Sequence, residues 1–253
     1  MVKHIEAVLF DLGGTLRILY KNKPYQDQAK REIAELVGTD MDPFEFHTLI
    51  DGRYDKYRIW AIDNMRECPE AELWTKWLTP EYDHERLMQN ASALTYAYRR
   101  AKGERKLVEG GIEVIEALYA AGYTLGIISN LIGCHEIQDW LRDDGLEKYF
   151  KTVQLSSVTG IRKPDTQLYD WATQEIKIDP VKCCYIGDQL DKDVLGAKRA
   201  GFGMTIAVMP EEDLVGKTFS DDLKADLVVH NFADLIKVFP KVPQVDPTAA
   251  VVL

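Results

Sequence analysis

A four-residue apolar run, Ala7-Val8-Leu9-Phe10, stops abruptly at Asp11-Leu12-Gly13-Gly14-Thr15 near the start of the chain. A run this short, free of charge and without polar alternation, fits a strand buried on both faces of a parallel sheet. Parallel strands need long crossover connections, so such a strand commits the chain to an α/β arrangement. Asp11 then stands at the carboxyl end of the strand, where open α/β sheets gather their ligands. The glycines permit a sharp turn that brings backbone N–H groups close to an anion. Taken alone, the stretch is equally well an apolar strand followed by a turn.

The same pattern of apolar run and polar stop returns downstream. Thr124 to Ile128 ends at Ser129-Asn130, Val153-Gln154-Leu155 is a short strand, and Cys183 to Ile186 ends at Gly187-Asp188. Thr205 to Val208 and Leu227 to Val229 read as the last strands. Between them, Gly111 to Ala121 is amphipathic, Lys163-Pro164-Asp165 opens a helix carrying Leu168, Trp171, Ala172 and Ile176, and Asp193 to Ala200 is helical up to Gly201. Strands alternating with helices imply a parallel sheet covered on both faces.

From about Tyr25 to about Lys106 the chain changes character. Apolar residues recur at helical spacing, as at Leu87, Ala91, Leu94 and Tyr98. Asp42-Pro43 and Thr79-Pro80-Glu81 read as helix starts. The stretch predicts a bundle of about four helices, entered through a short strand, Arg17 to Tyr20, and a turn at Lys21 to Pro24. Its large aromatics, Tyr54, Tyr57, Trp60, Trp74, Trp77, Tyr82, Tyr96 and Tyr98, are assigned mostly to the bundle's own core. Arg53 and Arg58 read as surface charges, with contact to an anionic substrate group as the sharper alternative.

With 253 residues, 46% hydrophobic and 28% charged, the chain has material for a full core plus an insertion. A net charge of −10 argues against nucleic acid or an anionic membrane as partner. A local lysine and a metal ion can still reverse the field within one pocket. The four cysteines show no metal spacing, and Cys183-Cys184 sits in an apolar run as packing. Without a disulfide pattern the expected compartment is the cytoplasm. Glu6 and Asp11 interrupt any apolar leader, and no run is long enough to cross a membrane.

Asp11-x-x-Gly14-Thr15-Leu16, Ser129-Asn130, Lys163-Pro164-Asp165 and Gly187-Asp188 followed by Asp193 together resemble the four ordered motifs of the haloacid dehalogenase (HAD) superfamily. The resemblance implies a Rossmann-like core of residues 1–20 and 106–239, with a parallel sheet and helices on both faces. It also implies an α-helical cap at 21–105; the stretch 240–253, with Pro240, Pro243 and Pro247, reads by its own residues as a flexible tail. The function implied is a phosphomonoesterase acting through an aspartyl-phosphate on a small phosphorylated metabolite. Asp11 and Lys163 would be catalytic, and Ser129, Asn130 and Lys163 would bind the phosphoryl group. Mg²⁺ would be held by Asp11, Asp188 and the backbone carbonyl of Gly13, supported by Thr15 and Asp193.

One position departs from the phosphatase pattern: Gly13 stands where those enzymes carry a second Asp, the general acid and base. Losing such a group typically costs about 10²–10⁴-fold in rate. Three consequences follow from the sequence: preference for good leaving groups, a surrogate acid from the cap, or a module that binds phospho-ligands without turning them over. A 2-haloacid dehalogenase also lacks that Asp, but Gly187-Asp188 favours metal and phosphate.

Overall fold

The computed structural model describes residues 4–213, 216 and 218–239; the tail expected at 240–253 lies outside them. Its eight strands are β1 Ala7–Phe10, β2 Arg17–Tyr20, β3 Glu104–Leu107, β4 Thr124–Ser129, β5 Phe150–Leu155, β6 Cys183–Gly187, β7 Met204–Val208 and β8 Leu227–Val229. Six of them form one parallel sheet in the order β5-β4-β1-β6-β7-β8. Successive side chains of β1 part to opposite faces, as the strand period requires. Val8 and Phe10 join one apolar cluster, while Ala7 and Leu9 join the other. Both faces are therefore dry, which explains why the run tolerates no polar residue.

Ten α-helices, with short 3₁₀ and π-helical turns such as Leu190–Val194 ahead of the ninth, complete the described chain. Four lie in the insert: α1 Lys23–Val37, α2 Pro43–Asn64, α3 Glu70–Glu72, continued by a π-helical turn at Leu73–Leu78, and α4 His84–Lys102. The other six are α5 Gly111–Ala120, α6 Glu136–Asp143, α7 Ser156–Thr159, α8 Gln167–Ile176, α9 Leu195–Arg199 and α10 Leu235–Val238. Residues of α5, α6 and α10 pack on the Val8 face, and residues of α8 and α9 on the Ala7 face. No helix of the described residues is long and apolar enough to cross a membrane.

The strand at Arg17 to Tyr20 does not fold back on a neighbour. It pairs antiparallel with β3, on the far side of the insert, in the register Arg17↔Leu107 to Tyr20↔Glu104. The helical block thus leaves and returns through one two-stranded ribbon. The turn expected at Lys21 to Pro24 is accordingly the entry to α1: the Asn22 side chain caps the helix by accepting from the Tyr25 N–H, and Pro24 occupies the first turn.

Asp42 caps α2 as its sequence predicts, accepting from the N–H groups of Phe44 and Glu45. Thr79-Pro80-Glu81 does not open a helix. The buried Thr79 hydroxyl donates to the Trp74 carbonyl and closes the π-helical turn, so Asp83 takes the N-cap of α4. Most of the aromatics pack inward as expected: Tyr57, Trp74 and Tyr98 are fully buried, with Tyr54, Trp60, Trp77 and Tyr82 packed against them. Tyr96 is the exception, at 47% exposure. Arg53 is not free for a ligand, because its guanidinium holds the Leu78 carbonyl and Glu81.

Candidate active site

The strand order places three polar stops side by side. Asp11 follows β1, Ser129 ends β4 and Asp188 follows β6, and β1 lies between the other two. The Asp11 N–H extends the ladder by donating to Ile186 at 2.8 Å, which fixes the carboxylate's base. The chain then turns tightly, with the N–H groups of Thr15 and Arg17 both donating to the Leu12 carbonyl. Gly14 holds φ +87°, and a Cβ there would overlap the Asp188 carboxylate. Gly13 differs: its φ lies outside the left-handed region, it is exposed, and a Cβ would meet nothing within 4 Å.

Lys163 is the hub. Its fully buried ammonium donates to Asp11 Oδ1 at 2.7 Å, Asp193 Oδ1 at 2.6 Å and the Tyr185 hydroxyl at 2.8 Å. Burial opposes the charge, but Asp11 and Asp193 outweigh it and hold the lysine above its ordinary pKa. The Asn130 side chain fixes the Lys163 backbone from both sides, accepting from its N–H at 2.8 Å and donating to its carbonyl at 3.0 Å. Lys163 itself stands in the turn ahead of α8, which begins at Gln167, and the Asp165 side chain accepts from the Gln167 N–H at 3.1 Å, so the motif leads into the helix as its sequence predicts. The Ser129 hydroxyl donates to Asp11 Oδ1 at 2.9 Å.

The carboxylates outnumber the cation. Asp11, Asp188 and Asp193 each bring one oxygen within 4.8 Å of the others, around a single lysine. Both Asp193 oxygens are engaged, one by Lys163 and one by the Gln189 N–H. Asp188 Oδ1 is buried with no hydrogen-bond partner among the described residues, as is the Thr15 hydroxyl. Burial and the neighbouring carboxylate of Asp11 push Asp188 up to about 7. Burial pushes Asp193 up to about 6, with Lys163 pulling against it. An orphaned carboxylate oxygen amid excess negative charge is a donor set fit for a hard divalent cation.

The insert reaches the sheet domain beside Lys163. The Arg162 N–H donates to the Met65 carbonyl at 3.1 Å and the Glu67 N–H to the Gly160 carbonyl at 3.0 Å. The buried Glu67 carboxylate takes the Arg162 guanidinium and the hydroxyls of Tyr57 and Ser156. A cavity of about 290 Å³ lies next to this seam, lined by Ile62, Asp63 and Met65 of the insert and by Lys163 and Lys192.

The profile of the haloacid dehalogenase-like hydrolases matches residues 45–208. A protein of Methanopyrus kandleri named glyceraldehyde 3-phosphate phosphatase is 30% identical over 210 residues, spanning 78% of this chain and 81% of that one. This chain is a haloacid dehalogenase-like hydrolase. Solved HAD structures share its fold. A 2-haloacid dehalogenase from Pseudomonas syringae superposes with a TM-score of 0.64 at 24% identity, covering 92% of this chain and 97% of that chain. A HAD phosphatase from Thermococcus onnurineus gives 0.58 at 20% identity, covering 94% and 99%. Both chemistries sit on this fold, so the HAD fold alone does not choose between them.

Sequence reasoning missed Tyr185. It read as one more apolar strand residue, yet its hydroxyl accepts from Lys163 and donates to the Ile128 carbonyl at 2.6 Å. A signal was present, because a tyrosine in an otherwise apolar buried strand must find a polar partner. Cys183 and Cys184 are buried packing as expected, and burial pushes the Cys183 thiol up to about 12.

Proposed function

We propose that this HAD hydrolase is a Mg²⁺-dependent phosphomonoesterase acting on a small phosphorylated metabolite through an aspartyl-phosphate on Asp11. The observation that carries the reading is Asp188 Oδ1, a buried, unpartnered carboxylate oxygen beside the Asp11 nucleophile. Asp11, Asp188 and the Gly13 carbonyl would hold the cation, whose role when bound is to neutralise the repulsion between carboxylate and phosphoryl oxygens. The phosphatase name of the M. kandleri relative supports the same chemistry.

Ser129 and Lys163 both engage Asp11 Oδ1, which leaves Oδ2 as the attacking oxygen. Attack forms the Oδ2–phosphorus bond and breaks the ester bond, and the leaving oxygen must take a proton. Lys163 and the Ser129 hydroxyl then steady the negative charge that gathers on the transferring group. Water next attacks phosphorus and frees Asp11 as a carboxylate. The attacking water gives up a proton as the Oδ2–phosphorus bond breaks. Gly13 can neither donate the proton the leaving oxygen needs nor accept the one the water loses, so both are exchanged with solvent. Good leaving groups, such as aryl or acyl phosphates, are therefore the fast substrates. Residues 21–105 act as the cap over a core of 1–20 and 106–239, and the cavity beside Lys163 and Asp63 is where the cap meets substrate.

The test is a panel of alkyl, aryl and acyl phosphates and 2-haloacids, assayed with and without Mg²⁺. Phosphate release that needs Mg²⁺ and vanishes in Asp11→Asn is expected. Metal-independent halide release would sink the reading in favour of a dehalogenase.

A further inference from the structure

We propose that this chain carries a second anion site, separate from the strand-end carboxylates, in which Arg17, Arg99 and Arg105 bind a phosphate-class dianion. The site is a cavity of about 480 Å³ between the insert, the β2–β3 ribbon and α6. That volume suits a small ligand. Its lining includes none of Asp11, Ser129, Lys163 and Asp188.

Charge within one buried cluster of this lining does not balance. The register of the ribbon puts Arg17 and Arg105 on the same face, and Arg99 comes from α4. Glu136, at the start of α6, is the one carboxylate among them and pairs with both Arg17 and Arg99. Arg105 donates to the Arg99 carbonyl and has no carboxylate of its own among the described ion pairs. The other acids of the lining stand apart from this cluster: Asp139, Asp143 and Asp144 are exposed to solvent, the first two paired with Arg142 and the third accepting from the Trp140 indole, while Glu70 accepts from the Cys134 N–H.

A guanidinium cannot relieve such crowding by losing its proton. Three of them against one carboxylate leave a surplus of two positive charges in a largely buried setting. The strain is visible at Arg105, which burial and the neighbouring Arg99 push down to about 10. Arg17 adds an independent sign. Its side chain is 9% exposed and lies over Trp140, and its Nε is buried with no acceptor among the described residues. A dianion seated here supplies the missing charge and the missing acceptor together. It would also join insert, ribbon and α6 in one contact.

The test is calorimetric titration of the full chain with inorganic phosphate in EDTA. Saturable binding is expected to survive Ser129→Ala and to weaken about tenfold or more in Arg105→Gln, the loss of one charge-assisted hydrogen bond. Competition by methylphosphonate assigns the pocket to phosphate monoesters, and binding of inorganic phosphate alone assigns it to the free ion. No saturable binding, or binding lost in Ser129→Ala and untouched by Arg105→Gln, overturns the proposal. Should Arg105→Gln fail to fold, crystals of the unaltered chain soaked in tungstate give the answer. An anomalous peak between Arg17 and Arg105 is expected, and a peak only beside Ser129, or none, overturns it.

Discussion

Two buried clusters in this molecule are near mirror images. At the sheet's carboxyl edge three carboxylates, Asp11, Asp188 and Asp193, surround one lysine. Beside the connecting ribbon three arginines surround one carboxylate, Glu136. The first holds an orphaned acceptor, Asp188 Oδ1, and the second an orphaned donor, Arg17 Nε. Excess charge away from water is costly in either sign, and the orphaned atom shows which partner would relieve it. The clusters also respond differently to their surplus. Carboxylates can take up protons, so Asp188 and Asp193 move toward neutrality, whereas arginines stay charged.

The largest expected effect tests whether the carboxylate cluster lacks a proton donor rather than a metal. Gly13→Asp introduces an acid where the chain has open space and no left-handed φ. Turnover of an alkyl phosphate should rise by up to roughly 10²–10⁴-fold, with a smaller gain on an aryl phosphate. A folded variant with no gain on the alkyl ester would mean that something other than proton transfer limits the reaction.

Removing either hub should sharpen the contrast. Lys163→Met strands three carboxylates, and urea unfolding at pH 8 should show a loss of about 3–5 kcal/mol. Lowering the pH should recover part of that loss, because the stranded acids can protonate. Glu136→Gln strands three arginines instead, and no pH between 5 and 8 should recover its stability. Equal pH dependence in the two variants would break the comparison.

The smallest expected effect concerns Asp188 in metal-free protein. Its folded pKa, about 7, lies above the ordinary carboxyl value of 3.8, so the folded state binds the proton more tightly than the unfolded state. Its contribution to stability is therefore complete below about pH 4 and is lost as pH rises through 7. The Tm measured in EDTA should fall between pH 5.5 and pH 8, and saturating Mg²⁺ should narrow the difference. Asp188→Asn should flatten the EDTA profile. A Tm in EDTA that climbs over this range would contradict the assignment of a strained, unpaired carboxylate.

Much of the sheet and of the carboxylate cluster was legible in the sequence, because the signals are local. A charge-free run such as Ala7 to Phe10 needs only its own residues to declare burial on both faces. Its polar stop then marks the strand's carboxyl end. The same logic located Ser129 and Asp188, and Asp42 announced its helix within three residues. The chain order of these stops, set against the motif pattern of a HAD hydrolase, was enough to name Lys163.

Tertiary structure decided what depends on residues meeting across the insert. The partner of Arg17 to Tyr20 could not be read locally, because a strand's pairing is settled by where the chain returns, at Glu104 to Leu107. Thr79 resembled a helix start until the π-helical turn claimed its hydroxyl and passed the cap to Asp83. Tyr185 became part of the Lys163 site only when β6 was laid against β1. Arg17, Arg99, Arg105 and Glu136 are unremarkable charges in the sequence. The fold brings them together out of water, where Coulomb forces are no longer screened and their sum matters.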